Sequence, residues 1–202
     1  MTIVSVSACP REDRSRTRKL QSRFEEAVER ACEKEGKDVT ILRHDLMTMD
    51  LRPIGTEELQ LREKICDRMD WDTELVRPAR ELMRADLIVI GAPYWDFSFP
   101  SCLKVWVEHM MVRNLTFHYE GDRLIGHLKA KACVYLTTAG GLTEGHDWGW
   151  LYIQDVLTML GVHHMEEVKA EGLDLQGSRW EDIMKTALDT AEKTAGRIAG
   201  LL

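Results

Sequence analysis

Apolar residues recur along this chain in two alternating rhythms. Ile3 to Ser7 is a short apolar run, Val39 to Leu42 a second, and Leu87-Ile88-Val89-Ile90-Gly91 a third. Ala132 to Thr137 and Val162 to Ala170 complete the set. The third run lacks polar alternation, the mark of a strand buried on both faces of a parallel sheet. Between the runs, apolar positions fall at helical spacing. Leu20, Phe24, Ala27, Val28 and Ala31 step by three and four residues, and Gly36 follows as the expected stop. Helices are also predicted over about Asp72 to Arg84, Pro100 to Met111, Trp150 to Leu160 and Trp180 to Ile198. Pro78 inside the second of these predicts a kink or the helix's real start. Residues 44–71 are less distinct: Leu59, Leu61, Ile65 and Met69 hint at helix among many charges. Thr116 to Asp122 reads as a small hairpin.

Five strands alternating with helices predict an α/β fold, a doubly wound five-stranded parallel sheet with helices on both faces. No repeat or low-complexity linker interrupts the chain, so residues 1–202 are expected to form a single domain. Ligands of such sheets bind beyond the carboxyl ends of the strands, where the strand order switches. Three loops leave those ends, 7–17, 92–97 and 138–143, and the functional argument rests on their convergence.

Composition narrows the partners. The chain of 202 residues has 44% hydrophobic and 30% charged residues and a net charge of −7. That profile is globular, and it argues against nucleic acid or an acidic membrane surface as the main partner. Cys9, Cys32, Cys66, Cys102 and Cys133 are scattered without a C-x-x-C pair, which predicts free thiols in a reducing compartment. No apolar run reaches the roughly 18 residues of a membrane span. Met1 to Ser7 enters a strand directly, without the basic and apolar regions of a signal peptide. A cytoplasmic location is therefore expected.

The first loop, Ser7-Ala8-Cys9-Pro10-Arg11-Glu12-Asp13-Arg14-Ser15-Arg16-Thr17, ends at a helix N-terminus. Unpaired N–H groups and the positive end of the helix dipole favour an anion there. Ser15 and Thr17 add hydroxyl donors, and Arg11, Arg14 and Arg16 add charge. Phosphate binding is one reading and plain helix capping by Ser15 the other. The G-x-x-x-x-G-K pattern of a P-loop is absent. In the second loop, Tyr94, Trp95 and Phe97 can flank a flat heteroaromatic ring, or they can pack on the next helix or at an oligomer interface. In the third, Gly140 and Gly141 permit a close backbone approach to a ligand, or make only a turn.

Taken together, these segments resemble the FMN-dependent NADH azoreductase and NAD(P)H–quinone reductase group of flavodoxin-like proteins. Ser7 and Ser15-Arg16-Thr17 resemble the group's strand-one loop, which ends in serines at a helix start. Ala92-Pro93-Tyr94-Trp95-Asp96-Phe97 resembles its A-P-M-Y-N-F loop. Leu103-Lys104 followed by Thr116-Phe117-His118-Tyr119 resembles its L-K then T-F-x-Y segment, and Thr137-Thr138-Ala139-Gly140-Gly141 its T-S-R-G-G loop. The likeness spans nearly the whole chain and is most specific between Asp86 and Gly141. It implies non-covalent FMN, NADH or NADPH as donor, and ping-pong hydride transfer to a quinone, azo or nitro-type acceptor. It also implies a homodimer with both active sites at the subunit interface. Ser15, Arg16 and Thr17 would hold the phosphate with Ser7 beside it. Pro93, Tyr94, Trp95, Asp96 and Phe97 would line the isoalloxazine, and Thr138, Ala139, Gly140 and Gly141 would meet its pyrimidine side. The flavin carries the chemistry, so no single acid or base is expected. Two positions depart from the group: Asp96 stands where Asn is usual and Ala139 where Arg is common.

Other readings have less support. Low-molecular-weight tyrosine phosphatases use C-x5-R-[ST] after strand one, but Ser15 stands where that arginine belongs. A hydrolase acting on phosphopantetheine would need a nucleophile and base that are not evident. His163-His164-x-Glu166 suggests a metal, yet in a strand His163 would face away from the other two, and no metal is expected. His109 and His118 read as surface or interface histidines. The alternative of a different class is a flavodoxin-type electron carrier without substrate turnover. Segments 44–71 and 112–128 favour the enzyme.

Overall fold

The computed structural model describes residues 1–202. Its order is β1 (Thr2–Ser7), α1 (Arg16–Lys34), β2 (Thr40–Asp45), α2 (Thr56–Arg68), α3 (Arg77–Leu82), β3 (Leu87–Gly91), α4 (Ser101–Met110), β4 (Phe117–Glu120), β5 (Arg123–Gly126), β6 (Ala132–Thr138), α5 (Trp148–Leu160), β7 (Met165–Ala170) and α6 (Trp180–Ala199). Strands pair in the order β2-β1-β3-β6-β7, all parallel, and β4 and β5 form a separate antiparallel hairpin. The doubly wound five-stranded sheet is therefore as expected, with its switch between β1 and β3.

Alternate residues of the strands feed two cores. Ile3, Leu87, Val89, Val134 and Leu136 pack against Leu20, Phe24 and Val28 of α1 and Ala187, Ala191 and Ala195 of α6. Val4, Val6, Ile88, Ile90, Cys133 and Tyr135 face Leu103, Trp106 and Met110 of α4 and Ile153 and Leu157 of α5. All five residues of β3 are buried, which is why its apolar run was unbroken. The three alanines of α6 lie one turn apart and let it pack closely on α1.

Several boundaries differ from expectation. The helix expected over 72–84 is a 3₁₀ turn, Glu74–Val76, followed by α3, and Pro78 sits in the first turn of α3. Proline tolerates that place because the N–H it lacks has no helical partner there. Strand five begins at Met165 instead of Val162; Gly161, at φ 110°, ends α5, and Val162 spends its N–H on Leu157 O. Within 44–71 the hint of helix becomes α2. The hairpin extends to Gly126, where a Cβ would lie 2.1 Å from the backbone of Leu160. Glycine thus allows the hairpin to seat against the end of α5.

Candidate functional site

Main-chain hydrogen bonds draw the loops together beyond the strand ends. Ala8 N–H donates to Gly91 O at 2.8 Å and Tyr94 N–H to Thr138 O at 3.0 Å. Ala139 N–H donates to Ala170 O at 2.8 Å, and Asp174 N–H returns to Gly140 O at 2.9 Å. A hydroxyl contact of 2.7 Å between Thr17 and Thr138 ties the start of α1 to the glycine loop. The result is a cavity of about 190 Å³ lined by Pro10, Arg11, Ser15, Arg16, Thr17, Pro93, Tyr94, Trp95, Thr138, Ala139, Gly140, Leu173 and Asp174. The serine–arginine corner and the tyrosine–tryptophan corner open onto one space.

The first corner is built by α1. Ser15 is the N-cap; its Oγ accepts from Arg18 N–H at 3.2 Å, which leaves its own hydroxyl hydrogen to donate. The first-turn N–H groups of Arg16 and Thr17 have no helical acceptor. Hydroxyls, free N–H groups and Arg16 at the positive end of a helix form a donor set suited to a phosphate monoester. Capping by Ser15 is compatible with an anion here, since capping uses the oxygen of Ser15 and an anion would take its hydrogen.

The second corner is a strained turn. Trp95 and Ser98 exchange N–H···O bonds of 3.0 and 2.8 Å, which makes Asp96 and Phe97 the two central residues. Both lie in the left-handed region, at φ 49° and 66°. A two-residue turn of this kind needs that conformation at both positions; Asp tolerates it and Phe does so at a cost. The turn presents Trp95 and Phe97 outward, 40% and 66% exposed, with Phe97 edge-on to Tyr94. Tyr94 Oη donates to His146 O at 3.2 Å, joining this wall to the loop that follows the glycines.

Four of the sequence-selected residues lie off this cavity. Ser7 lines a separate polar cavity with Arg18, Gln21 and Asp45, and its buried Oγ has no partner. Asp96 lines a neighbouring groove with Met47, Phe99 and Cys102, for which Trp95 is the dividing wall. Phe97 and Gly141 stand at the rim, outside the lining. Sequence reasoning missed Leu173 and Asp174, which nothing in their local pattern marks; main-chain hydrogen bonds from Leu173 to Ala139 O at 3.2 Å and from Asp174 to Gly140 O bring them in.

The other candidates resolve into structural roles. Cys9 is fully buried, its Sγ 3.7 Å from Gly91 O, and burial raises its pKa despite Ser15 and Ser7 nearby. A thiol held protonated is no nucleophile. His109 is not a surface histidine: it is buried, and its Nε2 meets Arg52 O at 2.9 Å. His164 contacts Glu166 at 3.3 Å, and Glu166 is paired with Arg197 at 2.5 Å.

Two unforeseen polar groups lie near the site. At the ends of β6 and β7, Lys169 donates to Thr143 at 3.0 Å and faces Glu167 at 3.6 Å and Asp147 at 4.0 Å. Burial pushes Glu167 above the usual carboxylate range, and Lys169 opposes this only in part. Below the sheet edge, Trp106 Nε1–H donates to His44 Nδ1 at 3.0 Å, so His44 Nε2 carries the hydrogen given to Glu81 at 2.7 Å. Arg77 completes the chain, donating to Glu81 at 3.0 Å. Burial holds His44 below its ordinary pKa. Burial also opposes the charge on Glu81, but His44 and Arg77 outweigh it and keep that carboxyl below its usual range.

Known proteins align with this arrangement. The Flavodoxin_2 family, described as a flavodoxin-like fold, matches residues 1–195. A Clostridium beijerinckii protein named FMN-dependent NADH:quinone oxidoreductase is 27% identical over 186 residues, 91% of this chain and 92% of its own length. A Clostridium perfringens protein of the same name is 25% identical over 89% of this chain and 90% of its own. The crystal structure of an FMN-dependent NADH-azoreductase from Bacillus anthracis, in complex with FMN, superposes with a TM-score of 0.86 at 20% identity, covering 98% of this chain and 100% of that one.

Proposed function

Because the chain belongs to the Flavodoxin_2 family, whose fold it carries over residues 1–195, we propose that it is an FMN-dependent oxidoreductase passing electrons from NADH or NADPH to a quinone, azo or similar small acceptor. The observation that carries this reading is the single cavity with an anion-binding corner at one end and an aromatic turn at the other. Those residues fit FMN. The hydroxyls of Ser15 and Thr17 and the guanidinium of Arg16 suit its phosphate, and Tyr94 and Trp95 in the same lining suit its ring.

Ser15, Arg16 and Thr17 would hold the phosphate, with Arg11 adding charge. Tyr94, Trp95 and the rim residue Phe97 would border the ring, and Thr138, Ala139, Gly140 and Gly141 would meet its polar edge through the backbone. Asp96 would act through the turn it makes possible, and Ser7 would support the loop from beneath. FMN supplies the capacity to take a hydride from the nicotinamide and hand reducing equivalents to the acceptor. The protein binds, orients and screens the reactants.

Trp95, Phe97, Leu142, Trp148 and Leu151 are exposed apolar residues in and beside the loops that form the cavity. They support a homodimer in which a second copy completes the site. No helix is long and apolar enough to cross a membrane, and the scattered free cysteines support a reducing, cytoplasmic setting. The full chain acts as one domain in this reading.

Steady-state oxidation of NADH with a soluble quinone, with and without added FMN, tests the assignment. Turnover that depends on FMN is expected. Protein that binds FMN but turns over only when an external reductase is supplied would identify an electron carrier instead.

A further inference from the structure

Arg16 is the fixed cation of the anion corner, and its edge is already engaged. Its Nη1 donates to Asp174 Oδ1 at 2.8 Å, and its guanidinium carbon lies 5.2 Å from the centre of the Trp180 ring. The stack covers one face of the guanidinium and leaves its N–H edge to be divided between Asp174 and the cavity. Asp174 is held in place by its own N–H on Gly140 O at 2.9 Å. Arg16 and Asp174 line the same cavity as Ser15, Thr17 and Gly140. A site built to take an anion therefore carries a carboxylate in its wall.

We propose that Asp174 is an internal counter-anion of the phosphate corner, so that a phosphate-bearing ligand must share Arg16 with it. This rests on the FMN reading and adds a residue that sets affinity at the phosphate end alone. An anion gripped by Arg16 lies a few ångströms from the Asp174 carboxylate, and their repulsion grows with the ligand's charge. A dianionic phosphate monoester feels it strongly; a neutral ligand with the same ring and ribityl chain does not. Asp174 weakens retention of the phosphate and makes the bound flavin exchangeable.

The experiment compares FMN with riboflavin, which lacks the phosphate, on flavin-free full-length protein and its Asp174→Asn variant, read by quenching of flavin fluorescence. The Asp174 side chain is 60% exposed, so the exchange leaves the core intact, and thermal unfolding of both proteins checks this. The variant is expected to bind FMN about tenfold more tightly, with riboflavin affinity unchanged. The gain should shrink as salt rises from about 0.05 to about 0.5 M. An FMN affinity that stays the same, falls, or rises in step with riboflavin overturns the proposal; a fall would mean that Asp174 serves to orient Arg16. Wild-type protein that binds neither flavin overturns the FMN reading as well, so the two failures are distinguishable.

Discussion

Two polar regions of this protein contrast in how completely their groups are partnered. In the chain from Trp106 through His44 and Glu81 to Arg77, the donors and acceptors that fix the geometry meet at 2.7 to 3.0 Å. Elsewhere on the sheet's carboxyl edge, the first turn of α1 lines a cavity through Ser15, Arg16 and Thr17, and Phe97 stands in the left-handed region with its ring exposed. The first region ties β2, α3 and α4 together and offers nothing to a ligand. The second leaves hydrogen-bonding capacity and backbone strain unspent, as binding sites do. Two neighbouring parts of one scaffold thus differ in what they leave unpartnered.

Substitutions should keep the two regions apart. The largest effect is expected from Trp106→Ala, which empties a fully buried indole site and orphans His44; chemical denaturation should show a loss of about 3–5 kcal/mol. Arg16→Ala should do the reverse, weakening FMN binding about thirty- to hundredfold, or some 2–3 kcal/mol, while the unfolding midpoint barely moves. If Trp106→Ala instead lowered the FMN affinity of the folded fraction, the separation would fail.

Acid should act on the first region from the histidine range downward. Burial depresses the pKa of His44 in the folded state, so the unfolded chain takes up that proton first. Stability contributed by the neutral ring is complete above about pH 6.5 and is lost as pH falls below it. Glu81, also depressed, adds a loss beginning lower, near the ordinary carboxylate range. Denaturation midpoints measured from pH 7.5 downward should start to drop in the histidine range, and Trp106→Phe should flatten that part of the slope. The smallest change concerns the turn. Phe97→Gly should raise stability by about 0.5–1 kcal/mol by relieving the left-handed strain, yet loosen FMN. A gain in stability beside a loss of binding is the signature of strain kept for function.

Much of this was legible in the chain. Strands read clearly where both faces are buried, as in β3. The three loops that line the cavity were located because each follows such a strand. Elements were misplaced where tertiary packing overrode local pattern. Pro78 could be read as a kink or a start, and only the preceding 3₁₀ turn decides it. His109 looked like a surface residue because its partner, Arg52 O, is remote in sequence. Asp174 left no trace because its role arises from one hydrogen bond to Gly140 and an ion pair spanning nearly the whole chain. Ser7 misled in the other direction: it is next to the loop in sequence, but its side chain faces the polar cavity behind α1.

The alanine stripe of α6 reaches further than its plain chemistry suggests. By letting α1 settle close, Ala187, Ala191 and Ala195 fix the depth at which that helix rests on the sheet, and with it the position of the first turn at its far end. The shape of the cavity is thus set partly by methyl groups that do not line it, and a bulkier residue among them would be felt as a displaced first turn of α1.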